Sequence, residues 1–93
     1  MTDALLVQRE VEIVNRAGMH ARPAAEFVKT ASRFRADVVV AKDDTSVNGK
    51  SILGVMMLAA ECGSSLDIRA EGDDAADAVA ALVSLVNTGF SEV

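Results

Sequence analysis

The sequence predicts an α+β fold, an antiparallel sheet with helices on one face, and three observations carry that expectation. Residues 7–14, 37–41, 46–48 and 65–71 have the β-branched content or the apolar/polar alternation of strands. Two other segments repeat apolar residues at helical spacing, and a third, residues 52–58, is apolar on every side behind an N-cap serine. The resulting order is β-α-β-β-α-β-α, and four half-wet strands sharing one core with three helices are most simply satisfied by a sheet covered on one side.

The first strand turns Val11 and Ile13 to one face and Glu10 and Glu12 to the other. Asn15-Arg16-Ala17-Gly18 is a loop, where Gly18 lets the backbone approach an anion closely. A helix begins at His20, because Pro23 is tolerated only in a first turn, where its missing N–H has no intrahelical partner. It runs to about Ser32 with a buried stripe of Ala24, Phe27, Val28 and Ala31, and Phe34 packs just beyond it. Residues 37–41 and 46–48 form a hairpin about the polar turn Lys42-Asp43-Asp44-Thr45. Ser51 is the N-cap of a second helix that continues through Leu58. After a loop at 60–64, the fourth strand alternates Leu66, Ile68 and Ala70 against Asp67 and Arg69. Asp73 or Asp74 caps a third helix, whose stripe is Val79, Leu82, Val83 and Val86, and Gly89 suits the left-handed position that ends it.

Composition narrows the function classes. Ninety-three residues make one domain, residues 1–93, with a core of small aliphatics, Met and three Phe. One cysteine, Cys62, cannot form an internal disulfide, and one histidine leaves a zinc site unsupported. No metal and no cofactor are expected. No apolar run reaches the roughly 20 residues of a membrane span, and Met1-Thr2-Asp3-Ala4 lacks the basic start of a signal peptide. The expectation is a cytoplasmic protein without membrane insertion. A net charge of −5 argues against nucleic-acid binding. Arg22, Lys29, Arg33 and Arg35 still make a locally positive spot, which either steers acidic partners or is a solvated face.

The chemistry concentrates at Gly18-Met19-His20-Ala21-Arg22-Pro23. With His20 near the N-cap, the amides of Ala21 and Arg22 are unpaired donors at the positive end of a helix dipole, and the Arg22 guanidinium lies two residues away. An anion site thus adjoins a nucleophile. Imidazole is largely neutral near pH 7 and arginine binds phosphate oxygens in a fork, a pairing that fits a transiently phosphorylated histidine. The plainer alternative is an ordinary capping histidine. The second helix is apolar on every side: with Val55 and Leu58 inward, Ile52, Leu53 and Met56 remain at the surface, a patch suited to docking several partners.

The order Gly-Met-His-Ala-Arg-Pro-Ala-Ala, continued by Glu26-Phe27-Val28-Lys29, resembles the active-site segment of the HPr family, the histidine-containing phosphocarriers of the bacterial phosphotransferase system. Similarity extends to Asn48–Leu58 and to Ala70-Glu71-Gly72-Asp73-Asp74. The resemblance implies an open-faced β-sandwich with strand order 1-4-2-3. It implies that His20 accepts a phosphoryl group on Nδ1 from phosphorylated Enzyme I and passes it to an EIIA domain. Arg22, the Ala21 and Arg22 amides and Gly18 would hold the phosphate, and Pro23, Lys29, Ile52, Leu53 and Met56 would meet partners. Such a protein is a monomeric carrier with a covalent phosphohistidine rather than an enzyme in the ordinary sense. Ser51 matches the serine that HPr kinase/phosphorylase modifies in many bacteria, which implies a regulatory alternative, a binding module controlled by that phosphate. Ala17 departs from many sugar-type members of the family, in which Ser or Asn three residues before the histidine helps to orient it. The ending Leu85-Val86-Asn87-Thr88-Gly89-Phe90 is similar to that of the nitrogen-branch paralogues, so the sugar and nitrogen branches both stay open.

Overall fold

Four strands pair antiparallel in the order β1-β4-β2-β3, where β1 is Leu6–Glu12, β2 Asp37–Lys42, β3 Thr45–Asn48 and β4 Ser65–Glu71. The computed structural model describes residues 5–92; residues 1–4, read above for a leader, and residue 93 lie outside the described residues. Three helices complete the chain order, α1 at Ala21–Ala31, α2 at Ile52–Met57 and α3 at Ala75–Asn87, followed by a tight turn at Gly89–Ser91. The expected order of elements and of strands is the observed one.

The period of two in β4 decides which face is dry. Leu66, Ile68 and Ala70 are fully buried, and the register sets Ile68 beside Val40 of β2 and Leu66 beside Val11 of β1. The helices supply the opposite wall: Ala24, Phe27 and Ala31 from α1, Val55 from α2, and Val79, Leu82 and Val86 from α3 are all buried. Val28 and Val83, placed on the stripes by spacing, are only half-buried and pack at the margin. The other face of the sheet is mostly polar, Leu6 and Val39 excepted, with Gln8 Nε2 donating to both Asp67 carboxylate oxygens at 2.8 Å.

Three boundaries differ from the sequence reading for identifiable reasons. Pairing of β1 stops at Glu12, although Ile13 remains fully buried and exchanges backbone hydrogen bonds with Gly63 and Ser64. Lys42 and Thr45 pair with each other, so the hairpin turn shrinks to Asp43-Asp44, with Asp43 at φ +54°. Asp74 stands at the start of α3, but its carboxylate makes no cap bond. It accepts instead from the backbone amides of Arg35 and Ala36, at 2.9 and 2.8 Å, and so ties the α1–β2 connection to the end of β4.

This clasp sets a pH dependence. The Arg35 amide, which outweighs partial burial and is helped by the Ala36 amide and Lys50, holds the Asp74 carboxyl below the ordinary aspartate value. A depressed folded-state value means that the stabilisation is fully present above the unfolded-state value, about 3.9, and is lost as pH falls through the folded-state value. Asp74→Asn is therefore expected to lower the urea midpoint at pH 7. The gap to the unsubstituted protein should close as pH falls below about 4, and a gap independent of pH would contradict the assignment.

Candidate functional site

Position and packing of His20 follow from the turn before it. Gly18 sits at φ +72°, and a β-carbon there would lie 2.6 Å from the Ala60 carbonyl oxygen, so this residue serves a left-handed turn packed against the 60–62 loop. Its amide donates to the Asn15 carbonyl at 3.0 Å, its carbonyl accepts from the His20 amide at 3.0 Å, and Met19 is fastened to Ala60 by a 2.8 Å bond. The chain then enters α1 with His20 as N-cap in extended conformation. Pro23 occupies the first turn and is fully buried. Expected among the partner-facing residues, Pro23 offers no surface, because its ring packs inward where the helix begins.

The imidazole does not cap the helix: His20 makes no side-chain cap bond. Its Nε2 instead lies 3.0 and 3.2 Å from the two carboxylate oxygens of Glu92, 72 residues away. Arg22 Nη1 is 3.6 Å from the same carboxylate, with its side chain 69% exposed. Glu92 is held from the other side by Asn15, whose Nδ2 donates to Glu92 Oε1 at 3.0 Å and to the Gly18 carbonyl at 2.8 Å. Asn15 is buried, and its Oδ1 has no partner among the described residues. Partial burial pushes the Glu92 carboxyl up, but the Asn15 amide, the His20 ring and the Arg22 charge together outweigh it and leave the group below the ordinary glutamate value.

Two residues of this cluster were not singled out from the sequence. Asn15 carried a signal, since an Asn whose side chain reaches the backbone three residues on is a recurrent turn device. Glu92 carried none, because nothing in local pattern links it to His20.

Ser51 caps α2, its Oγ accepting from the Gly54 amide at 3.0 Å. Val55 and Leu58 face the core, while Ile52 (45%), Leu53 (71%) and Met56 (40%) are exposed, and Met57, not anticipated, is exposed as well (71%). Packing of α2 against α1 sets this apolar strip beside the helix that begins at His20. Lys29 lies exposed in the last turn of α1.

Comparison with known proteins identifies the family. The family model described as the PTS HPr component phosphorylation site matches residues 7–88. The chain belongs to the HPr family of phosphotransferase-system phosphocarriers. It is 45% identical over 87 residues to the phosphocarrier protein HPr of Neisseria meningitidis serogroup A, covering 94% of this chain and 98% of the relative. It is 43% identical over 81 residues to the HPr-like protein Crh of Bacillus subtilis, covering 87% and 95%. An HPr crystal structure from Thermoanaerobacter tengcongensis superposes with a TM-score of 0.90 at 46% identity, covering 94% of this chain and 98% of that one; an HPr of that organism is also known as a dimer. Among the described residues no helix is long and apolar enough to cross a membrane.

Gly18 is the residue on which His20 placement rests most directly. Gly18→Ala is expected to destabilise the protein by about 1 to 3 kcal/mol, the range for a side chain forced into a sparsely populated backbone region, with the contact to Ala60 placing it at the upper end. Chemical denaturation measures this, and a neutral result would show that the turn relaxes without cost.

Proposed function

We propose that His20 is the phosphoryl acceptor of this carrier and that Nδ1 is the atom phosphorylated. One observation carries the reading: the ring of an N-cap histidine is held through Nε2 and not used as a cap, which leaves Nδ1 unengaged among the described residues at the start of α1. The amides of Ala21 and Arg22 have no intrahelical acceptor at that position, and Gly18 fixes the approach to them. Phosphoryl transfer asks the protein mainly for positioning and charge stabilisation. Arg22 suits that task, since at 3.6 Å its contact with Glu92 is longer than a hydrogen bond and its exposed side chain is free to turn toward a phosphoryl group.

The donor in this reading is phosphorylated Enzyme I and the acceptors are EIIA domains, which meet the protein through Lys29 and the exposed Ile52, Leu53 and Met56 beside α1. All residues that handle the phosphoryl group come from one chain, so a monomer suffices, residues 1–93 forming one domain. Incubation with Enzyme I and phosphoenolpyruvate should yield an acid-labile, base-stable phosphate, and His20→Ala should abolish it. Labelling that survives the substitution would overturn the assignment.

Ser51 is the second phosphorylation site in this proposal, a substrate for HPr kinase/phosphorylase. The similarity to Crh, described as the Bacillus subtilis catabolite repression HPr, favours a regulatory role of this kind beside the carrier role. A phosphate there adds about −1.5 to −2 charge at the edge of the apolar strip, at a helix start that tolerates it. It repels acidic partners while the fold persists. Ser51→Ala should cost about 1 kcal/mol through the lost N-cap, read as a lowered unfolding midpoint. Ser51→Asp should retain the cap and weaken Enzyme I docking, and docking that is unchanged by Ser51→Asp would count against the switch.

A further inference from the structure

The C-terminal turn delivers a carboxylate to the one nitrogen of His20 that the phosphoryl group does not use. A carboxylate only accepts hydrogen bonds, and both Glu92 oxygens lie within 3.2 Å of Nε2, so Nε2 carries the proton. A neutral imidazole has a single N–H, and Nδ1 is then a bare lone pair.

An exposed ion pair would do little to fix a ring. This carboxylate differs, because its side chain is only 11% exposed, against 43% for His20. Its Oε1 takes the Asn15 amide, and Asn15 is itself buried and tied to Gly18, the residue that sets the His20 turn. Its backbone amide donates to the Gly89 carbonyl at 2.9 Å, and Phe90 before it is buried. Phe90 and Ser91 are both left-handed, at φ +56° and +59°, a conformation that neither residue type favours. Strain of this kind persists where the surroundings hold it, and it gathers at functional sites.

Resting on the reading of His20 as phosphoryl acceptor, we propose that Glu92 is a positioning residue for the transfer: it keeps the ring proton on Nε2, presents Nδ1 as the nucleophile, and neutralises the imidazolium that phosphorylation creates. The Nδ1 lone pair forms the N–P bond while the bond from phosphorus to the donor atom breaks, its electron pair leaving with the donor. The ring then bears phosphorus on Nδ1 and the original proton on Nε2, hence one positive charge, 3.0 Å from the carboxylate. Handing the group on breaks the N–P bond and returns its electron pair to Nδ1. No proton moves in either direction. The carboxylate that orients the histidine of a Ser-His-Asp triad has the same two tasks.

The test is Glu92→Gln and Glu92→Ala in the full chain, with Glu92→Asp as a conservative rescue. Ring ¹⁵N chemical shifts of His20, recorded without any donor where the ring is neutral, report the tautomer. The unsubstituted protein should show the Nε2–H form. Glu92→Ala should relax toward the mixture of both forms found in solution, and Glu92→Gln should raise the Nδ1–H form, since its amide can donate to Nε2. Phosphoryl acceptance from phospho-Enzyme I should fall about 10- to 100-fold in both, as when an orienting partner of a histidine is removed elsewhere, with Glu92→Asp between them and the unsubstituted protein. An unchanged tautomer in Glu92→Ala and Glu92→Gln would overturn the proposal, whatever the rates. Unsubstituted protein that takes no phosphate on His20 would overturn the acceptor reading and this proposal with it, whereas normal labelling with an unchanged tautomer would overturn the role of Glu92 alone.

Discussion

The left-handed turn at Gly18, packed without a side chain against the Ala60 carbonyl, is the constraint on which the candidate site depends. Three groups read their position from it. The His20 amide and the Asn15 side chain both donate to the Gly18 carbonyl, and Asn15 in turn carries Glu92. The turn also fastens the first loop to the loop before β4, so the site is braced against the central strand of the sheet through Met19, Ala60 and the residues that follow. The histidine is thus mounted on the rigid core at a helix start, and it remains accessible because only its flank is held.

Site and surface are built on different physics and meet along α1. At His20 the charges nearly balance: the Arg22 guanidinium lies 3.6 Å from the Glu92 carboxylate, which also meets the His20 ring. A helix terminus stabilises an adjacent charge by about 0.3 to 1 kcal/mol, and by about 2 in favourable partly buried geometry. On the proposed role of His20, that scale suits a phosphoryl group which is received and then surrendered, because tighter binding would slow its release. At α2 the recognition is apolar. Six residues cannot bury Ile52, Leu53, Met56 and Met57 along with Val55, so the helix leaves an aliphatic and methionine strip of the kind that can repack against differing partners. Ser51, fixed as the cap, is where a charge would alter this strip with least effect on the core.

Much of the fold was legible in the sequence because it is governed by periodicity. Leu66, Ile68 and Ala70 at a period of two, and Ala24, Phe27 and Ala31 at helical spacing, announced the faces they occupy. The placement of His20 at the start of α1 was legible for a local reason, since Pro23 marks the first turn. The parts that escaped are polar contacts between distant segments. Asp74 reaches back to Arg35 and Ala36, and Glu92 reaches back to His20 and Asn15. Spacing encodes which residues are dry, but it carries no record of which carboxylate meets which amide once the chain has closed. Pro23 shows a related limit: its place in the first turn was legible, its complete burial was not.

Glu92 also answers the question raised by Ala17. Without a polar side chain three residues before His20, orientation of the ring falls to a group from the far end of the chain. The energetics of the turn that brings it are finely set. Left-handed backbone costs roughly 1 to 2 kcal/mol at each of Phe90 and Ser91, and burial of the Phe90 side chain returns about 1.5 to 3 kcal/mol. These contributions are of similar size, and the Asn15 and His20 contacts to Glu92 add to the favourable side. The coupling runs both ways. With His20 as the proposed acceptor, a ring made cationic by phosphorylation would attract the carboxylate more strongly than a neutral one, so the turn would be held hardest while the phosphoryl group is on board.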